Sequence, residues 1–266
     1  MKIFKDKLNL QKELSKGNRV CFIPTMGGLH KGHEYLIKRA KKLNKKTLVS
    51  IFINPKQFND KKDFLKYPRN FIRDLSLLRK LKVNYVFMPN YKDIFRFKTK
   101  NKIFLDKFSN KLCGKTRKNH FKGVLNVVNR LIEIIKPRYL FLGKKDFQQL
   151  YLIKKHLFKN KIDTTIIECK TIRENNGVAC STRNNHLGIK DIKIASQVYY
   201  YLKNIKKKFP IKIFDIKKNL YKFGINKIDY LEFINVKTLK KPKLKSERYK
   251  IFIAYYLKKT RLIDNI

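Results

Sequence analysis

The feature that most constrains the fold is an alternation of short apolar runs with longer amphipathic segments over the first two thirds of the chain. The predicted strands are Arg19–Ile23, Thr47–Ile53, Asn84–Met88, Tyr139–Leu142 and Ile162–Glu168. The predicted helices are Glu34–Lys42, Asn70–Leu81, Val124–Ile135 and Phe147–Phe158. Strands that alternate with helices of this length indicate βαβ units and therefore a parallel sheet.

The pattern changes after about Lys170. Helical spacing at Lys190–Lys208 and Phe214–Phe223 leads into alternating strands at Asp229–Val236 and Tyr249–Tyr256. A chain of 266 residues suits one large domain or two modest ones. We therefore expect a first α/β domain over residues 1–171 and a smaller α+β C-terminal domain over residues 172–266.

Composition excludes several classes of protein. Apolar residues make up 43% of the chain and aromatic residues 13%, so a disordered or collagen-like chain is excluded. No apolar run approaches the ~20 residues of a membrane span, and charges interrupt the start, 1–17, too often for a secretory signal. The four cysteines form no C-x-x-C pair, which favours free thiols in a reducing compartment. We expect a soluble, cytoplasmic protein without a membrane partner.

The formal net charge of +47 comes from 66 basic and 19 acidic residues. Such a charge ordinarily indicates a nucleic acid or an anionic membrane as partner. Lys greatly outnumbers Arg, however, although Arg is better suited to bidentate phosphate contacts. The excess is also spread along the whole chain, as a drift toward AT-rich codons would produce. We expect solvated lysines without a specific nucleic acid, and keep a basic nucleic-acid-binding protein on a degenerate scaffold as an alternative function.

The densest chemical signal is IPTMGGLHKGH, at Ile23–His33, between a predicted strand and a predicted helix. An α/β sheet binds ligands at such a place. Backbone N–H groups at a helix N-terminus favour a phosphate, and glycines let it come close. His30 and His33 are three residues apart and can share a helix face. Alone, this pair would also fit a metal site or an incidental surface pair; with the glycines, it favours nucleotide phosphate binding.

Three further polar clusters interrupt apolar elements. Asn54–Phe58 ends a predicted strand and carries Gln57, Gly143–Gln149 opens a predicted helix, and Cys180–Asn184 is rich in hydroxyls and contains an Arg. Each alone would fit turn or capping chemistry. Recurrence at strand ends in one α/β chain favours a shared site. Gly114–Thr116 resembles the end of a P-loop, but Ser109 stands where the first glycine of that motif should be, so a P-loop is excluded.

With these motifs in order along the chain, the sequence resembles the pantothenate synthetase (pantoate–β-alanine ligase) family. The stretches that carry the resemblance are PTMGGLHKGH (Pro24–His33), VSIFINPKQF (Val49–Phe58), YPRNFIRDLSLL (Tyr67–Leu78), HFKGVLNVVNRL (His120–Leu131), KPRYLFLGKKDFQQL (Lys136–Leu150), TIRENNGVACSTRNNHL (Thr171–Leu187) and TRLIDN (Thr260–Asn265). H-x-G-H loops also occur in other nucleotidylyltransferases. A further alternative function is therefore that of a nucleotidylyltransferase that acts on a different carboxylate or phosphate.

The resemblance implies a Rossmann-like nucleotidylyltransferase domain of the H-x-G-H type with a smaller C-terminal domain. It also implies an ATP-dependent, AMP-forming ligation: pantoate attacks the α-phosphorus of ATP, and β-alanine then attacks the pantoyl adenylate. ATP would be a substrate and Mg²⁺ a cofactor, and the enzyme would be a homodimer.

The resemblance also assigns residues. His33, His30 and Lys145 would be catalytic. Gln57 and Gln149 would bind pantoate, with Gln57 also near β-alanine, and no residue is assigned to a metal. The ATP site would comprise Met26, Gly27, Gly28, Leu29, His30, Lys31, Gly32, His33, Gly143, Lys144, Lys145, Asp146, Ile172, Cys180, Ser181, Thr182 and Arg183.

The chain departs from the family pattern at a few positions. The family usually has Glu at the position of Lys144, an acidic residue at that of Cys113 and Pro-Gly at that of 118–119. It has Ser in place of Thr182 and an apolar residue in place of Cys180. None of these changes removes an assigned chemical group. Lys144 adds a second cation beside Lys145, so ATP affinity is the property we expect to be altered.

Overall fold

The chain forms two compact units. The computed structural model describes residues 1–17, 19–58, 61–206, 212–244 and 246–266, without the side chains of residues 61 and 62. The first unit comprises Met1–Ser109 and Arg117–Lys170, and the second comprises Asn110–Thr116 and Thr171–Ile266.

A six-stranded parallel sheet forms the centre of the first unit, as the alternating pattern predicts. Its strands are β1 (Lys2–Phe4), β2 (Cys21–Thr25), β3 (Thr47–Ile51), β4 (Tyr85–Phe87), β5 (Tyr139–Gly143) and β6 (Thr165–Cys169). The spatial order is β1-β4-β3-β2-β5-β6, so the chain progresses outward in opposite directions from the β2/β5 pair. Parallel sheets bind ligands at such a switch point, beyond the carboxyl ends of the strands.

Helices pack around this sheet. Numbered along the whole chain, those of the first unit are α1 (Lys7–Leu14), α2 (Lys31–Lys41), α3 (Lys61–Lys66), α4 (Phe71–Lys80), α5 (Tyr91–Phe95), α7 (His120–Ile135) and α8 (Phe147–Lys159). Ile23, Val49 and Val86 of the strands are fully buried in one cluster with Ile37 of α2 and Leu78 of α4. This apolar layer fixes α2 and α4 on the same face of the sheet, next to the end of β2.

The second unit is built on an antiparallel sheet. Its strands are β7 (Lys227–Asn235), β8 (Tyr249–Leu257) and β9 (Thr260–Asn265), in that order, and its helices are α6 (Cys113–Thr116), α9 (Ile189–Ile205) and α10 (Ile213–Lys222). Leu202 of α9, Leu220 of α10 and Ile251 of β8 are fully buried in its core. The Rossmann-like α/β fold with a smaller α+β C-terminal part is therefore confirmed.

One segment differs from the predicted division at 171/172. Asn110–Thr116 belongs to the second unit, although the prediction placed it in the first. The Cys113 sulfur lies 3.1 Å from the Tyr230 hydroxyl and within 4 Å of the Arg261 guanidinium, which forms a largely buried ion pair with Asp229. These polar contacts between distant parts of the sequence, not the apolar pattern, place the segment.

Most predicted elements are confirmed to within a few residues, with two kinds of difference. Helix α7 begins at His120, four residues before its predicted start, and β6 begins three residues after its predicted start at Ile162. The end of the predicted helix Lys190–Lys208, at 207–208, lies outside the described residues. No helix among those described is long and apolar enough to span a membrane.

Candidate active site

Two turns extend from the central strands of the first unit. The glycine loop, Met26–Leu29, joins β2 to α2, and the turn Lys144–Asp146 joins β5 to α8. Because β2 and β5 are parallel neighbours, both turns leave the sheet at the same edge. The topology thus brings together the H-x-G-H motif and the Lys145 segment, which are more than a hundred residues apart in sequence.

Glycine is required in the glycine loop for two reasons. Gly27 and Gly28 have φ values of 78° and 62°, a left-handed conformation that strains other residues. A Cβ atom on Gly27 would lie 3.0 Å from a carboxylate oxygen of Asp74 and 3.2 Å from Ile51. The two glycines therefore allow both a tight turn and close packing against α4.

Backbone N–H groups of this loop donate hydrogen bonds to side chains of the protein. Gly27 N–H donates to the Thr25 hydroxyl at 3.2 Å, and the N–H groups of Gly28 and Leu29 each donate to the Asp74 carboxylate at 2.8 Å. The sequence led us to expect the N–H groups at the N-terminus of α2 to face a phosphate, and that stays a prediction. The N–H groups of Gly28 and Leu29, which precede the helix, bind a buried carboxylate instead.

The two imidazoles of the motif also bind backbone N–H groups. His30 is the N-cap of α2, and its Nδ1 accepts from the N–H of Gly32 at 3.1 Å. His33 Nδ1 accepts from the N–H of His30 at 3.3 Å. Since Nδ1 is the acceptor in both rings, the hydrogen-bond network assigns the proton of each neutral ring to Nε2. The ring centroids lie 4.1 Å apart, so the pair presents two neighbouring N–H donors.

Both imidazoles are neutral near pH 7. Burial, followed by the charges of His33 and Lys145, lowers the pKa of His30 to about 2. Burial and the charge of Lys145 lower the pKa of His33 to about 4. The turn that carries Lys145 leaves the sheet beside the glycine loop, which agrees with the influence of its charge on both rings. The site therefore offers two uncharged N–H donors beside one fixed cation, a combination that suits the oxygens of a polyphosphate.

These depressed pKa values predict that the protein loses stability in mild acid. Below pH ~6.5 the unfolded chain binds protons that the folded imidazoles do not, so the free energy of unfolding falls by about 1.4 kcal/mol per pH unit for each ring. The loss continues for His33 until the pH reaches its folded pKa of about 4. Urea unfolding at pH 7.5, 6.5 and 5.5 measures this slope.

A double variant provides the control. Asn accepts backbone N–H groups through Oδ1 and is a good N-cap, so His30→Asn with His33→Asn keeps both acceptors and removes both titrations. The variant should show a much shallower slope, to which the buried His156, whose pKa burial also lowers, still contributes. An unchanged slope would contradict the assignment.

Lys144, the second cation of the turn Lys144–Asp146, has a partner of its own. Lys144 Nζ lies 3.4 Å from a carboxylate oxygen of Glu168, which also pairs with Lys154 at 2.6 Å. Glu168 belongs to β6, the strand beside β5. This contact draws Lys144 toward β6, so the departure from the usual Glu adds less positive charge at Lys145 than the sequence suggested.

Gln57 lies in a turn that several residues hold in place. The turn Pro55–Gln57 follows β3, and the Gln57 amide contacts the sulfur of Met26 in the glycine loop. The Gln57 carbonyl accepts from Arg117 at 3.0 Å and lies 2.7 Å from Nδ1 of the buried His120. The contact with Met26 places Gln57 beside the glycine loop, where the resemblance assigned a pantoate residue.

Close packing of α7 also determines the position of this turn. The fully buried Asn54 amide donates to the carbonyl of Gly123 at 3.1 Å. A Cβ atom on Gly123 would lie only 2.3 Å from the carbonyl oxygen of Lys56. Gly123 therefore lets α7 approach the backbone of the turn more closely than any other residue would.

The two amides that open α8 have different surroundings. Gln148 is buried and donates to the carbonyl of Phe108 at 2.7 Å, which is a structural contact. Gln149 is partly buried in the first turn of α8, directly after Lys144–Asp146. Of the pair, Gln149 is the residue that remains suited to the predicted pantoate contact.

The remaining predicted nucleotide residues lie in the second unit. Cys180 N–H donates to the carbonyl of Ile172 at 2.9 Å, so these two residues are neighbours. The Ser181 hydroxyl accepts from the N–H of Arg183 at 3.3 Å, and Thr182 is buried. The hydrogen bonds give this loop a defined local conformation. A nucleotide role for its residues stays a prediction.

The comparisons with known proteins agree with this geometry. Residues 2–266 match the family model described as pantoate-beta-alanine ligase. The chain belongs to the pantoate-β-alanine ligase family. A pantothenate synthetase from Pseudothermotoga lettingae is 38% identical over 96% of this chain and 93% of its own length. A pantothenate synthetase from Flavobacterium psychrophilum is 37% identical over 98% of this chain and 95% of its own length.

Solved structures of the pantoate-β-alanine ligase family share the fold. The enzyme from Francisella tularensis, described as complexed with beta-gamma ATP and beta-alanine, has 36% identity and a TM-score of 0.87 over 100% of this chain and 97% of that one. Pantothenate synthetase from Thermus thermophilus has 27% identity and a TM-score of 0.90, over 100% of this chain and 99% of that one. The resemblance inferred from the sequence is thus confirmed.

Sequence reasoning missed several residues that shape this site. Asp74, Asn54, Arg117, His120 and Gly123 have no assigned role in the motifs, although all five lie in or near them. Asp74 left one detectable signal, because it lies four residues before the buried Leu78 and therefore on the buried face of α4. A carboxylate on such a face needs hydrogen-bond partners.

Proposed function

We propose that the chain joins pantoate to β-alanine with ATP, forming pantothenate, AMP and pyrophosphate through a pantoyl adenylate. The observation that carries the proposal is the pair of Nε2–H donors of His30 and His33 beside Lys145, at the carboxyl end of β2. The family assignment supports it, as does the description of the Francisella tularensis enzyme with beta-gamma ATP and beta-alanine.

In the first step a carboxylate oxygen of pantoate attacks the α-phosphorus of ATP. The new O–P bond forms as the bond to the bridging oxygen breaks, and pyrophosphate leaves with the electron pair. Charge on the phosphoryl oxygens must be stabilised throughout, and positioning matters more than covalent catalysis. The His30 and His33 N–H groups donate to these oxygens, and Lys145 compensates the charge. Because the imidazoles are neutral, they donate hydrogen bonds without placing a second positive charge beside Lys145.

In the second step the amine of β-alanine attacks the acyl carbon of the adenylate. The new C–N bond forms, the amine loses a proton, and AMP leaves with the former acyl–phosphate oxygen. Gln57 and Gln149 carry uncharged amides that suit the hydroxyl and carboxyl groups of pantoate. No nucleophilic side chain is needed in either step.

Mg²⁺ fits this site as a companion of the nucleotide rather than as a resident of a protein cage. Among the described residues, no group of three or more His, Cys, Asp or Glu side chains could hold a metal ion. Mg²⁺ bound by phosphate oxygens and water needs only one or two carboxylates, and the exposed Asp146 is the carboxylate that the nucleotide segment offers. When bound, the ion would neutralise charge on the phosphates.

The function is tested by measuring AMP in reactions that contain ATP, Mg²⁺, pantoate and β-alanine. We expect AMP release that requires both organic substrates and pantothenate formation in equal amount. AMP release without β-alanine, or with an unrelated carboxylate in place of pantoate, would instead support another nucleotidylyltransferase activity.

Gln57→Ala should raise the KM for pantoate far more than the KM for ATP. The lost amide leaves a buried polar partner unsatisfied at a cost of about 1–3 kcal/mol, or roughly ten- to a hundred-fold in apparent affinity. Steady-state kinetics with each substrate varied in turn measures both constants. Gln148→Ala is the control, because it removes an amide that donates to the carbonyl of Phe108 within the protein; it should lower stability without raising one KM more than the other. Equal increases in both KM values for Gln57→Ala would argue against the assignment.

Location and assembly are part of the same proposal. The four cysteines, Cys21, Cys113, Cys169 and Cys180, are buried and form no disulfide bond, which supports a reducing, cytoplasmic location. A homodimer follows from the resemblance, and sedimentation analysis of the purified chain tests it. The high Lys content supports no separate nucleic-acid function, because each of the polar clusters described above fits the ligase.

A further inference from the structure

A buried carboxylate binds the glycine loop through both of its oxygens. Asp74 is only 2% exposed. Its Oδ2 accepts from the N–H of Gly28 and its Oδ1 from the N–H of Leu29, each at 2.8 Å. Hydrogen bonds of this length to a charged acceptor are among the stronger ones in proteins. This contact joins α4 to the loop that leads into His30.

The position of Asp74 in α4 suits a buried charge. Asn70 caps the helix by accepting from the N–H of Arg73, and Asp74 lies in the first turn that follows. A carboxylate is favoured there by the positive end of the helix dipole. Four residues further on, the fully buried Leu78 anchors the same helix face in the core. The carboxylate is therefore held on a rigid support rather than on a mobile loop.

The glycine loop needs such a support. Two consecutive glycines at positive φ have more conformational freedom to lose than any other pair of residues. Two hydrogen bonds to one rigid carboxylate fix both peptide groups at once. The absence of a side chain on Gly27 allows this approach, since a Cβ there would lie 3.0 Å from Asp74 Oδ2.

We propose that Asp74 is a positioning residue that holds the glycine loop in the conformation required for nucleotide binding by His30. The proposal rests on the proposed function and extends it to a residue outside the assigned site. Both carboxylate oxygens of Asp74 accept hydrogen bonds from the loop, so Asp74 affects the nucleotide through the conformation of the loop. The Gln57 amide contacts Met26 of the loop, but its backbone carbonyl is held by Arg117 and His120, and the effect should therefore fall on ATP more than on pantoate.

The first test needs no activity. Amide hydrogen exchange in the ligand-free wild-type protein should show the N–H groups of Gly28 and Leu29 to be protected. Asp74→Asn keeps the size of the side chain but offers one carbonyl acceptor in place of two oxygens, and should speed exchange at one or both amides at least tenfold. Fast exchange at both amides in the wild type, or unchanged exchange in Asp74→Asn, would overturn the proposal.

The second test is kinetic. Asp74→Asn should raise the KM for ATP roughly ten- to a hundred-fold, the range for loss of a hydrogen bond to a charged group, with a much smaller change in the KM for pantoate. Asp93→Asn is the matched control, because Asp93 also accepts a backbone N–H, that of Asn90, but at the start of α5, which follows β4 and not β2. It should leave both KM values unchanged.

The outcomes separate this proposal from the proposed function. If wild-type protein forms no pantothenate, the proposed function fails, and amide exchange still tests the contact. If wild type is active and Asp74→Asn raises both KM values equally, or neither, the positioning role is overturned. Asp74→Glu restores both oxygens on a longer side chain, and partial recovery of the KM for ATP relative to Asp74→Asn would further support it.

Discussion

Replacing His33 with Asn should lower the rate of adenylate formation by about 10²–10³, the usual effect of removing one preorganised donor to a developing charge. Asn places Oδ1 where Nδ1 of the imidazole lies, so the bond from the N–H of His30 is kept. What disappears is the Nε2–H donor. Exchange of labelled pyrophosphate into ATP in the presence of pantoate measures this step without the second half-reaction.

His33→Gln is the matched variant for this prediction. Its terminal amide reaches the position of Nε2 and keeps a donor, while the acceptor for the His30 N–H is lost. We therefore expect a smaller rate loss for Gln than for Asn. Thermal unfolding shows whether each variant is folded. Activity of His33→Asn within a few-fold of wild type would show that His33 caps α2 without serving the reaction.

Gly123→Ala has the second-largest expected effect. The added Cβ would lie 2.3 Å from the Lys56 carbonyl oxygen and 2.8 Å from its carbon, and backbone atoms cannot move aside as a flexible side chain can. Overpacking costs typically about 1–3 kcal/mol, and a backbone clash belongs at the upper end. We expect lower stability and a KM for pantoate raised by about a hundred-fold, because the turn that carries Gln57 is displaced.

Gly17→Ala is the control for the added methyl group. A Cβ on Gly17 meets nothing within 4 Å, so this variant should match wild type in stability and in both KM values. Urea unfolding and steady-state kinetics compare the two variants directly. Should Gly123→Ala keep the wild-type KM for pantoate while remaining folded, the position of the turn would not matter for substrate binding.

The sequence predicts most of the fold because its signals are local. The β-branched run predicted as a strand at Thr47–Ile53 and the helical spacing predicted at Asn70–Leu81 match β3 and α4 to within two residues. Strand β1 and helix α1 were missed because charges interrupt their short apolar pattern, in which Leu10 is the single buried residue of α1. Strand β9 was missed for a similar reason, since Arg261 and Asp264 occur within six residues.

The H-x-G-H motif shows both the reach and the limit of local reasoning. Its spacing predicts that His30 and His33 share a helix face, and the rings lie 4.1 Å apart. The same reasoning predicted that N–H groups at the helix N-terminus favour a phosphate, which stays a prediction. It did not predict that Asp74, 46 and 45 residues away in sequence, accepts from the N–H groups of Gly28 and Leu29 in the loop before the helix.

By itself the sequence determined the alternation of strands and helices, the family and the identity of the chemical groups, since periodicity and motif spacing are properties of neighbouring residues. The tertiary structure alone decided which of those groups are available to bind substrates and which are bonded within the protein. Asp74 occupies the loop N–H groups, Glu168 draws Lys144 aside, and Gly123 admits the backbone of the Gln57 turn. Such contacts join residues tens of positions apart, and they exist only once the apolar faces of the helices have packed against the sheet.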